Sequence, residues 1–268
     1  MRLVPDAARG SHENTGQTNH CPLGAPMQFT TERGAHLIGV LGGMGPAATA
    51  DFYRKLINAT PATRDQDHRR VVIWADPTVP DRSEALQGRG PDPTPWLVAG
   101  ARRLSEAGAT QIAIPCNTAH AFIDGIAEKV GVPIVHMIDA VAQRLSSSAR
   151  PIGRVGLLAT TGTVQGGFYQ AWLAHHGIET VVTTAAAQES VMRAIRSIKG
   201  GQWTPEDLAG LHAAANALVQ DGADAIIAGC TEIPLGLSPD DVAVPLIDPA
   251  QVLAETLVSL TAGPAHRA

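Results

Sequence analysis

An internal repeat is the sequence feature that most constrains how this chain can fold. Three pieces occur twice and in the same order: an apolar run around a glycine, a cysteine after an apolar run, and a Val-Pro pair. They are residues 37–41 and 154–158, Cys116 and Cys230, and residues 132–134 and 244–246. This order indicates two copies of one structural unit. We therefore expect two thiols that face one cleft from opposite sides, an arrangement suited to a reaction with a base on each face of one carbon.

Bulk composition narrows the class of protein. The chain has 268 residues, of which 44% are hydrophobic and 17% charged, as expected of a globular protein able to bury a core. The net charge of −5 and the lack of a basic run argue against a nucleic-acid partner. No apolar stretch approaches the ~18 residues that cross a bilayer. Three cysteines do not form a disulfide framework, so a cytoplasmic location is predicted.

The first 35 residues differ from the rest of the chain. They are polar and aperiodic, which predicts a disordered N-terminal extension over residues 1–35. A basic segment followed by an apolar one is missing there, so a signal peptide is not predicted. Met27 is a candidate alternative start.

From Leu37 onward, short apolar runs alternate with helical patterns. The predicted strands are 37–41, 71–75, 110–114, 134–136, 154–159, 178–184, 224–228 and 245–247. The predicted helices are 46–59, 94–107, 118–129, 138–147, 165–176, 187–198, 205–221 and 249–261. Strands apolar on both faces and separated by helices predict an α/β fold of two pseudo-symmetric lobes, each a parallel sheet flanked by helices. The lobes are expected at 36–148 and 149–268, with the last helix free to cross to the first lobe and the active site in the cleft between them.

Each repeated cysteine stands between a predicted strand and a polar segment. Cys116 precedes Asn117 and Thr118, and Cys230 precedes Thr231. Unpaired backbone N–H groups at a helix start would favour thiolate over thiol at both positions. The alternative is a small buried core residue, which is the usual role of a free cysteine. Two cysteines in repeat-related positions favour the chemical role.

Several turns after strands carry candidate binding groups. The turn Gly42-Gly43-Met44-Gly45 lacks the G-x-G-x-x-G spacing and the P-loop lysine, so it is interpreted as a tight turn that lets backbone approach a small ligand. In the repeat, Thr161 and Thr163 take its place, either as donors to a carboxylate or as ordinary helix caps.

Charged and titratable candidates each allow two interpretations. Arg82, in a loop expected to run from 77 to 95, could fork onto a carboxylate or be an ordinary surface arginine. Lys199, in the last turn of a helix, could offset the helix dipole or point into the cleft. His120 and Glu232 could tune the neighbouring thiols or serve packing. Metal-ligand spacings are missing, which argues against a metal site.

These motifs resemble the aspartate/glutamate racemase superfamily, and its aspartate racemase branch in particular. The pieces that carry the resemblance are residues 39–49, 80–82, 115–120, 198–199 and 229–234. The resemblance extends over about 37–260 and implies an enzyme that needs no pyridoxal phosphate, metal or nucleotide cofactor. It implies a small amino-acid substrate and two-base racemisation of L- and D-aspartate or a related acidic amino acid. Members of the superfamily are commonly dimers, so a homodimer is also expected.

By the same resemblance, Cys116 and Cys230 are the acid and the base and exchange roles with substrate handedness. The implied substrate-binding residues are Met44, Arg82, Asn117, Thr118, Thr161, Thr163, Lys199, Thr231 and Glu232. Glutamate racemases differ in having an Asp-Ser-Gly turn after the first strand and a histidine after Gly-Cys-Thr, where this chain has Glu232.

Two other functions compete with racemisation. A maleate-type cis-trans isomerase, or another non-racemising member of the superfamily, would use one cysteine as a nucleophile. A non-enzymatic amino-acid-binding protein on the same scaffold would have no need of two thiols. The presence of both cysteines favours racemisation.

Overall fold

The computed structural model of the chain describes residues 36–261. The predicted N-terminal extension, with Cys21 and Met27, lies outside the described residues. Within them, no helix is long and apolar enough to span a membrane.

The first copy of the repeat begins with a strand and alternates strands with helices. Its strands are β1 (Leu37–Gly42), β2 (Arg70–Ala75), β3 (Gln111–Ala113) and β4 (Ile134–Val135). Its helices are α1 (Pro46–Ala59), α2 (Arg82–Leu86), α3 (Thr94–Glu106), α4 (Ile123–Val130) and α5 (Met137–Ser146). Short 3-10 segments cover Asp65–Asp67 and Thr118–Phe122.

The second copy follows after residues 147–153, which join the two. Its strands are β5 (Arg154–Ala159), β6 (Glu179–Val182), β7 (Ala225–Gly229) and β8 (Leu246–Ile247). Its helices are α6 (Thr161–Gly166), α7 (Phe168–His175), α8 (Ala185–Lys199), α9 (Pro205–Gln220) and α10 (Pro249–Leu260). Further 3-10 segments cover Ile233–Leu235 and Pro239–Asp241.

The strands form two parallel sheets with one topology. The orders are β2-β1-β3-β4 and β6-β5-β7-β8, so each strand of one sheet has its counterpart in the other. Gly39 of β1 and Gly156 of β5 are counterparts, and both are glycine because a helix packs against them. A Cβ at Gly39 would lie 3.2 Å from that of Leu104 in α3, and one at Gly156 2.9 Å from that of Leu218 in α9. The predicted repeat and the predicted α/β fold are confirmed.

Helices cover both faces of each sheet. In the first lobe, α3 and α4 pack on one face around Leu97, Leu104 and Ile126, and α1 packs on the other with Phe52 and Leu56. In the second lobe, α8 and α9 cover one face and α7 the other. Because both faces are buried, the strands are nearly continuous apolar runs, which explains why they lack polar alternation.

The last helix of each copy packs mainly against the other copy. Val141 and Leu145 of α5 join the core beneath β5 and β7. Leu253 and Leu257 of α10 join Ile38 and the rest of the core beneath β1 and β3. This reciprocal exchange fixes the two lobes side by side.

Most predicted elements match the structure to within one or two residues, and three places differ. The predicted helix 118–129 is a 3-10 segment, Thr118–Phe122, followed by α4. The predicted helix 165–176 is two helices, because Gly167 adopts a left-handed backbone with φ +68° between α6 and α7. The loop predicted over 77–95 contains the short helix α2. Asp81 caps α2 by accepting hydrogen bonds from the backbone N–H groups of Ser83 and Glu84, at 2.7 and 2.9 Å.

Candidate active site

The two cysteines stand at equivalent strand ends. Cys116 follows β3 and Pro115, and Cys230 follows β7 directly. After each cysteine the chain enters a 3-10 segment rather than an α-helix. These segments start at Thr118 and at Ile233. Both cysteines are free and buried, with exposed fractions of 5% and 6%. Because β3 and β7 lie at the same position in two facing copies, both thiols reach one cleft.

One small cavity of about 140 Å³ contains both cysteines. Its walls come from both lobes and from α2 and α8. They are Met44, Asp81, Arg82, Ser83, Glu84, Cys116, Asn117, Thr118, Thr160, Met192, Ile195, Arg196, Lys199, Cys230, Thr231 and Glu232. A larger cavity, about 520 Å³, lies beside α1 and α10 but has no cysteine in its walls. Chemistry rather than size therefore identifies the candidate site.

Cys230 is held as a thiol by its neighbour Glu232. Its Sγ donates a hydrogen bond to Glu232 Oε2 at 3.0 Å, and Thr231 Oγ1 donates a longer one at 3.4 Å to the same oxygen. Burial and the Glu232 carboxylate raise the pKa of Cys230 well above its usual value, although Lys199 opposes the shift. The expectation that a helix start favours thiolate is therefore wrong for Cys230, because burial and a carboxylate outweigh it.

Lys199 supplies positive charge to the cavity from the last turn of α8. Part of its side chain is exposed to solvent. Desolvation of the ammonium lowers its pKa, but Cys230, Glu232 and Cys116 outweigh that cost, and the net effect is a raised pKa of Lys199. Lys199 therefore stays protonated beside both thiols.

Arg82 is the first residue of α2 and is 8% exposed. Its Nη1 donates to the carbonyls of Val79 and Pro80, at 3.2 and 3.0 Å, and its Nη2 donates to Met44 O at 3.4 Å. Its Nε is buried and lacks a hydrogen-bond partner among the described residues. The guanidinium is thus a buried cation that backbone oxygens hold in the wall of the cavity, and it has no carboxylate partner within residues 36–261.

A cluster of threonine hydroxyls joins the two lobes beside Cys116. Thr118 Oγ1 lies 2.9 Å from Thr163 Oγ1 and 3.2 Å from Thr160 Oγ1. Thr160 also accepts a hydrogen bond from Ser83 Oγ at 3.0 Å. Thr163 is fully buried behind Thr118 and Thr160 and does not line the cavity.

Of the remaining candidate binding residues, two line the cavity and one does not. Met44 and Thr231 both line the cavity. Thr161 does not: its hydroxyl accepts a hydrogen bond from Gln188 at 3.3 Å, and it lines an adjoining cavity instead. A Cβ at Gly45 would lie 3.0 Å from Glu232 Oε1, so the glycine turn after β1 leaves room for this carboxylate.

His120 is buried in the core and does not line the cavity that contains the thiols. Its Nε2 lies 3.1 Å from the carbonyl of Ile114, and its ring lies 4.9 Å from that of His136. Burial, with help from His136 and against the hydrogen bond to Ile114, lowers the pKa of His120 to about 3. A neutral ring must then donate from Nε2 to the carbonyl.

One face of α8 was missed as a part of the site. Met192, Ile195, Arg196 and Lys199 all line the cavity, and their spacing places them on one helix face. That spacing is visible in the sequence once Lys199 is suspected. The sequence also contained a signal for the start of α2. Asp81 with Glu84 three residues later is the pattern of a helix N-cap. Tyr169, which donates to Asn117 from the other lobe at 2.6 Å, had no sequence signal.

The arrangement is suited to proton transfer in a small polar cavity. Two thiols, three carboxylates, three cations and a group of hydroxyls line a volume of about 140 Å³, which fits a small polar molecule. Groups of three or more side chains able to hold a metal ion do not occur among residues 36–261.

Comparison with known proteins identifies relatives of the whole fold. The family model described as Asp/Glu/Hydantoin racemase matches residues 41–257. The broad specificity amino-acid racemase RacX of Bacillus subtilis is 29% identical over 236 residues, which are 83% of this chain and 97% of RacX.

Solved structures agree with this match. An aspartate racemase from Picrophilus torridus superposes with a TM-score of 0.76 and 33% identity, over 84% of this chain and 94% of that one. A glutamate racemase from Francisella tularensis, solved in complex with D-glutamate, shares the fold at a TM-score of 0.63 and 19% identity, over 84% of this chain and 80% of its own. With a matching family model, a shared fold and a cleft built from both copies of the repeat, this chain belongs to the Asp/Glu/hydantoin racemase family and is an amino-acid racemase.

Proposed function

We propose that this enzyme interconverts L- and D-aspartate, or a closely related acidic amino acid, with Cys116 and Cys230 as the two proton-transfer groups and without a cofactor. One observation carries the proposal: the cysteines come from equivalent strand ends of two facing lobes and line the same cavity. A substrate between them would present opposite faces of its Cα to the two sulfurs.

In the direction in which Cys230 is the acid, its sulfur already carries the proton that it must donate. The raised pKa keeps the proton on Cys230 until the carbanion forms. Cys116, as a thiolate, would remove the proton from the other face of Cα. The Lys199 ammonium lies near enough to favour negative charge on either sulfur, and fixed positive charge also stabilises the developing carbanion.

In the reverse direction the roles exchange. The forward step leaves Cys116 protonated and Cys230 as the thiolate, because each proton taken up by one sulfur is matched by one given by the other. This Cys230 thiolate would then remove the proton from the other enantiomer, while the Cys116 thiol returns one.

The size and charge of the cavity support a small acidic substrate. Its volume of about 140 Å³ is well below the ~300 Å³ typical of sites for larger ligands. Arg82, Arg196 and Lys199 line the cavity together with Asp81, Glu84 and Glu232. Asp81 caps α2 and Glu84 pairs with Arg89, so the three cations are available for the two carboxylates of such a molecule. The Picrophilus relative is an aspartate racemase, which supports the same substrate class.

The test is racemisation in deuterated water with single-cysteine variants. The wild-type enzyme should convert L-aspartate to D-aspartate and place deuterium at Cα, whereas an isomerase of maleate type would not. Cys116→Ser and Cys230→Ser should each lower racemisation at least a thousandfold, which corresponds to about 4 kcal/mol of transition-state stabilisation. Serine keeps the shape of cysteine, and its hydroxyl is a far weaker acid than a thiol.

Abstraction of one proton alone tests the geometry of the two bases. From an aspartate analogue with a leaving group at Cβ, each single variant should still eliminate from one enantiomer, and the two variants from opposite enantiomers. Cys21→Ser serves as the thiol control and should behave as wild type. The two-base mechanism is wrong if both variants spare the same enantiomer, or if either racemises at a rate near that of wild type.

A further inference from the structure

A buried hydrogen bond crosses from the second lobe to the residue beside Cys116. Tyr169 of α7 donates from its hydroxyl to Asn117 Oδ1 at 2.6 Å, and the two side chains are 0% and 2% exposed. Burial, with a contribution from Asp248, raises the pKa of Tyr169, so the hydroxyl keeps its proton and remains a donor. A donor at this position selects the oxygen end of the Asn117 amide.

The other end of the same amide is left unsatisfied. Asn117 Nδ2 is buried and lacks a hydrogen-bond partner among the described residues, although Asn117 lines the cavity. A buried N–H without an acceptor is unfavourable, so such groups generally have a partner in the working state of a protein. In this cavity, the available partner is a bound molecule with an acceptor oxygen.

The counterpart position in the repeat does not have this feature. Thr231 follows Cys230 as Asn117 follows Cys116, but its hydroxyl donates to Glu232 within its own lobe. Of the two residues that follow the cysteines, Asn117 is therefore the one that a side chain of the opposite lobe holds in place. A substrate carboxylate is the acceptor that this amide could reach next to the reacting carbon.

We propose that Tyr169 is a positioning residue that orients the Asn117 amide so that its N–H group binds a substrate carboxylate. The inference rests on the proposed function and adds a residue that touches no substrate. Without the hydroxyl, the amide is free to rotate, and its oxygen would then face the carboxylate for part of the time.

The test is the Tyr169→Phe variant, which keeps the ring and removes one oxygen. We expect KM for the amino acid to rise about tenfold, since one oriented hydrogen bond to a charged group is weakened, while kcat changes less than about twofold. Thr60→Val is the matched control. It removes a buried hydroxyl that donates to Leu56 O at 2.7 Å outside the cavity, and it should leave KM unchanged.

A double-mutant cycle separates orientation from general loosening of the core. In an Asn117→Ala background, Tyr169→Phe should raise KM no further, because the amide that it orients is gone. Equal KM increases in both backgrounds, or a KM within twofold of wild type for Tyr169→Phe alone, would overturn the inference.

Direct binding keeps this test independent of turnover. Titration calorimetry with L-aspartate should show weaker binding to Tyr169→Phe, in parallel with KM. A wild-type protein that binds aspartate but does not racemise it would refute the proposed function, and the binding comparison would still decide the role of Tyr169. A wild-type protein that does not bind aspartate would overturn both.

Discussion

Lys199 occupies the last turn of α8, where two roles compete. A cation there offsets the helix dipole, and the same ammonium lies in the field of both cysteines and Glu232. The surroundings favour the second role, because three groups that are or become anionic raise its pKa. Lys129 stands in the last turn of α4 and is exposed, which makes it a matched control for the dipole effect.

Lys199→Ala should lower kcat/KM on aspartate by about tenfold to a hundredfold, the value of a charge-assisted hydrogen bond of roughly 1.5–3 kcal/mol. A neutral amino acid, if it is turned over, should lose less, because it has no side-chain carboxylate. Lys129→Ala should leave both values unchanged. Steady-state kinetics on the two substrates check this, and equal losses on both would rule out a contact between Lys199 and the side-chain carboxylate.

At the scale of elements, α2 and α6 form a contact between the lobes at the edge of the cavity. A Cβ at Gly162 would lie 2.6 Å from Ser83 Cα and 2.7 Å from Ser83 Cβ, so only glycine allows this approach. The Gln87 amide donates to Gln165 Oε1 at 2.8 Å along the same contact. Because α2 also carries Arg82, its seating on α6 sets the position of one wall of the cavity.

Gly162→Ala should therefore displace α2 and cost about 1–3 kcal/mol, as overpacking generally does, despite the better helix propensity of alanine. We expect a lower melting temperature together with a higher KM. Gly153→Ala is the control, because its added Cβ would come no closer than 3.8 Å to Asp224 Oδ2. An unchanged melting temperature and KM for Gly162→Ala would mean that α2 moves without consequence.

At the scale of the whole molecule, buried neutral histidines make stability depend on pH. The pKa of His120 is lowered to about 3, and that of His136 is also lowered, chiefly by burial. The unfolded chain takes up protons at these residues below about pH 6.5, whereas the folded chain takes them up only at lower pH. The free energy of unfolding should therefore fall as the pH drops below about 6.5, by up to ~1.4 kcal/mol per pH unit for each such histidine.

Urea unfolding at pH 7, 6 and 5 measures this slope above the range in which most carboxylates titrate. His120→Gln should reduce the slope by about 1 kcal/mol per pH unit, whatever its effect on stability at pH 7. His175→Gln, at an exposed position, should keep the slope of wild type. An identical slope for His120→Gln would show that His120 takes up a proton in the folded state.

Sequence periodicity predicted the fold well, because doubly covered parallel strands are apolar on both faces and the linking helices are long enough to repeat every 3.6 residues. β5 and α1 match their predicted bounds. Two of the three places that differ depend on single residues. Gly167 splits a helix by its backbone conformation, and Asp81 starts a helix of five residues, too short for a periodic pattern.

The candidate site, too, was predictable from the sequence only in part. The repeat by itself determined that two thiols would stand at equivalent strand ends, since the topology of each copy follows from its apolar pattern. Only the tertiary structure decided what surrounds them. Glu232 holds Cys230 as a thiol and Tyr169 fixes the Asn117 amide. Hydrogen-bond direction and burial depend on which elements meet in space, and residues 52 positions apart, such as Asn117 and Tyr169, carry no local pattern that records their contact.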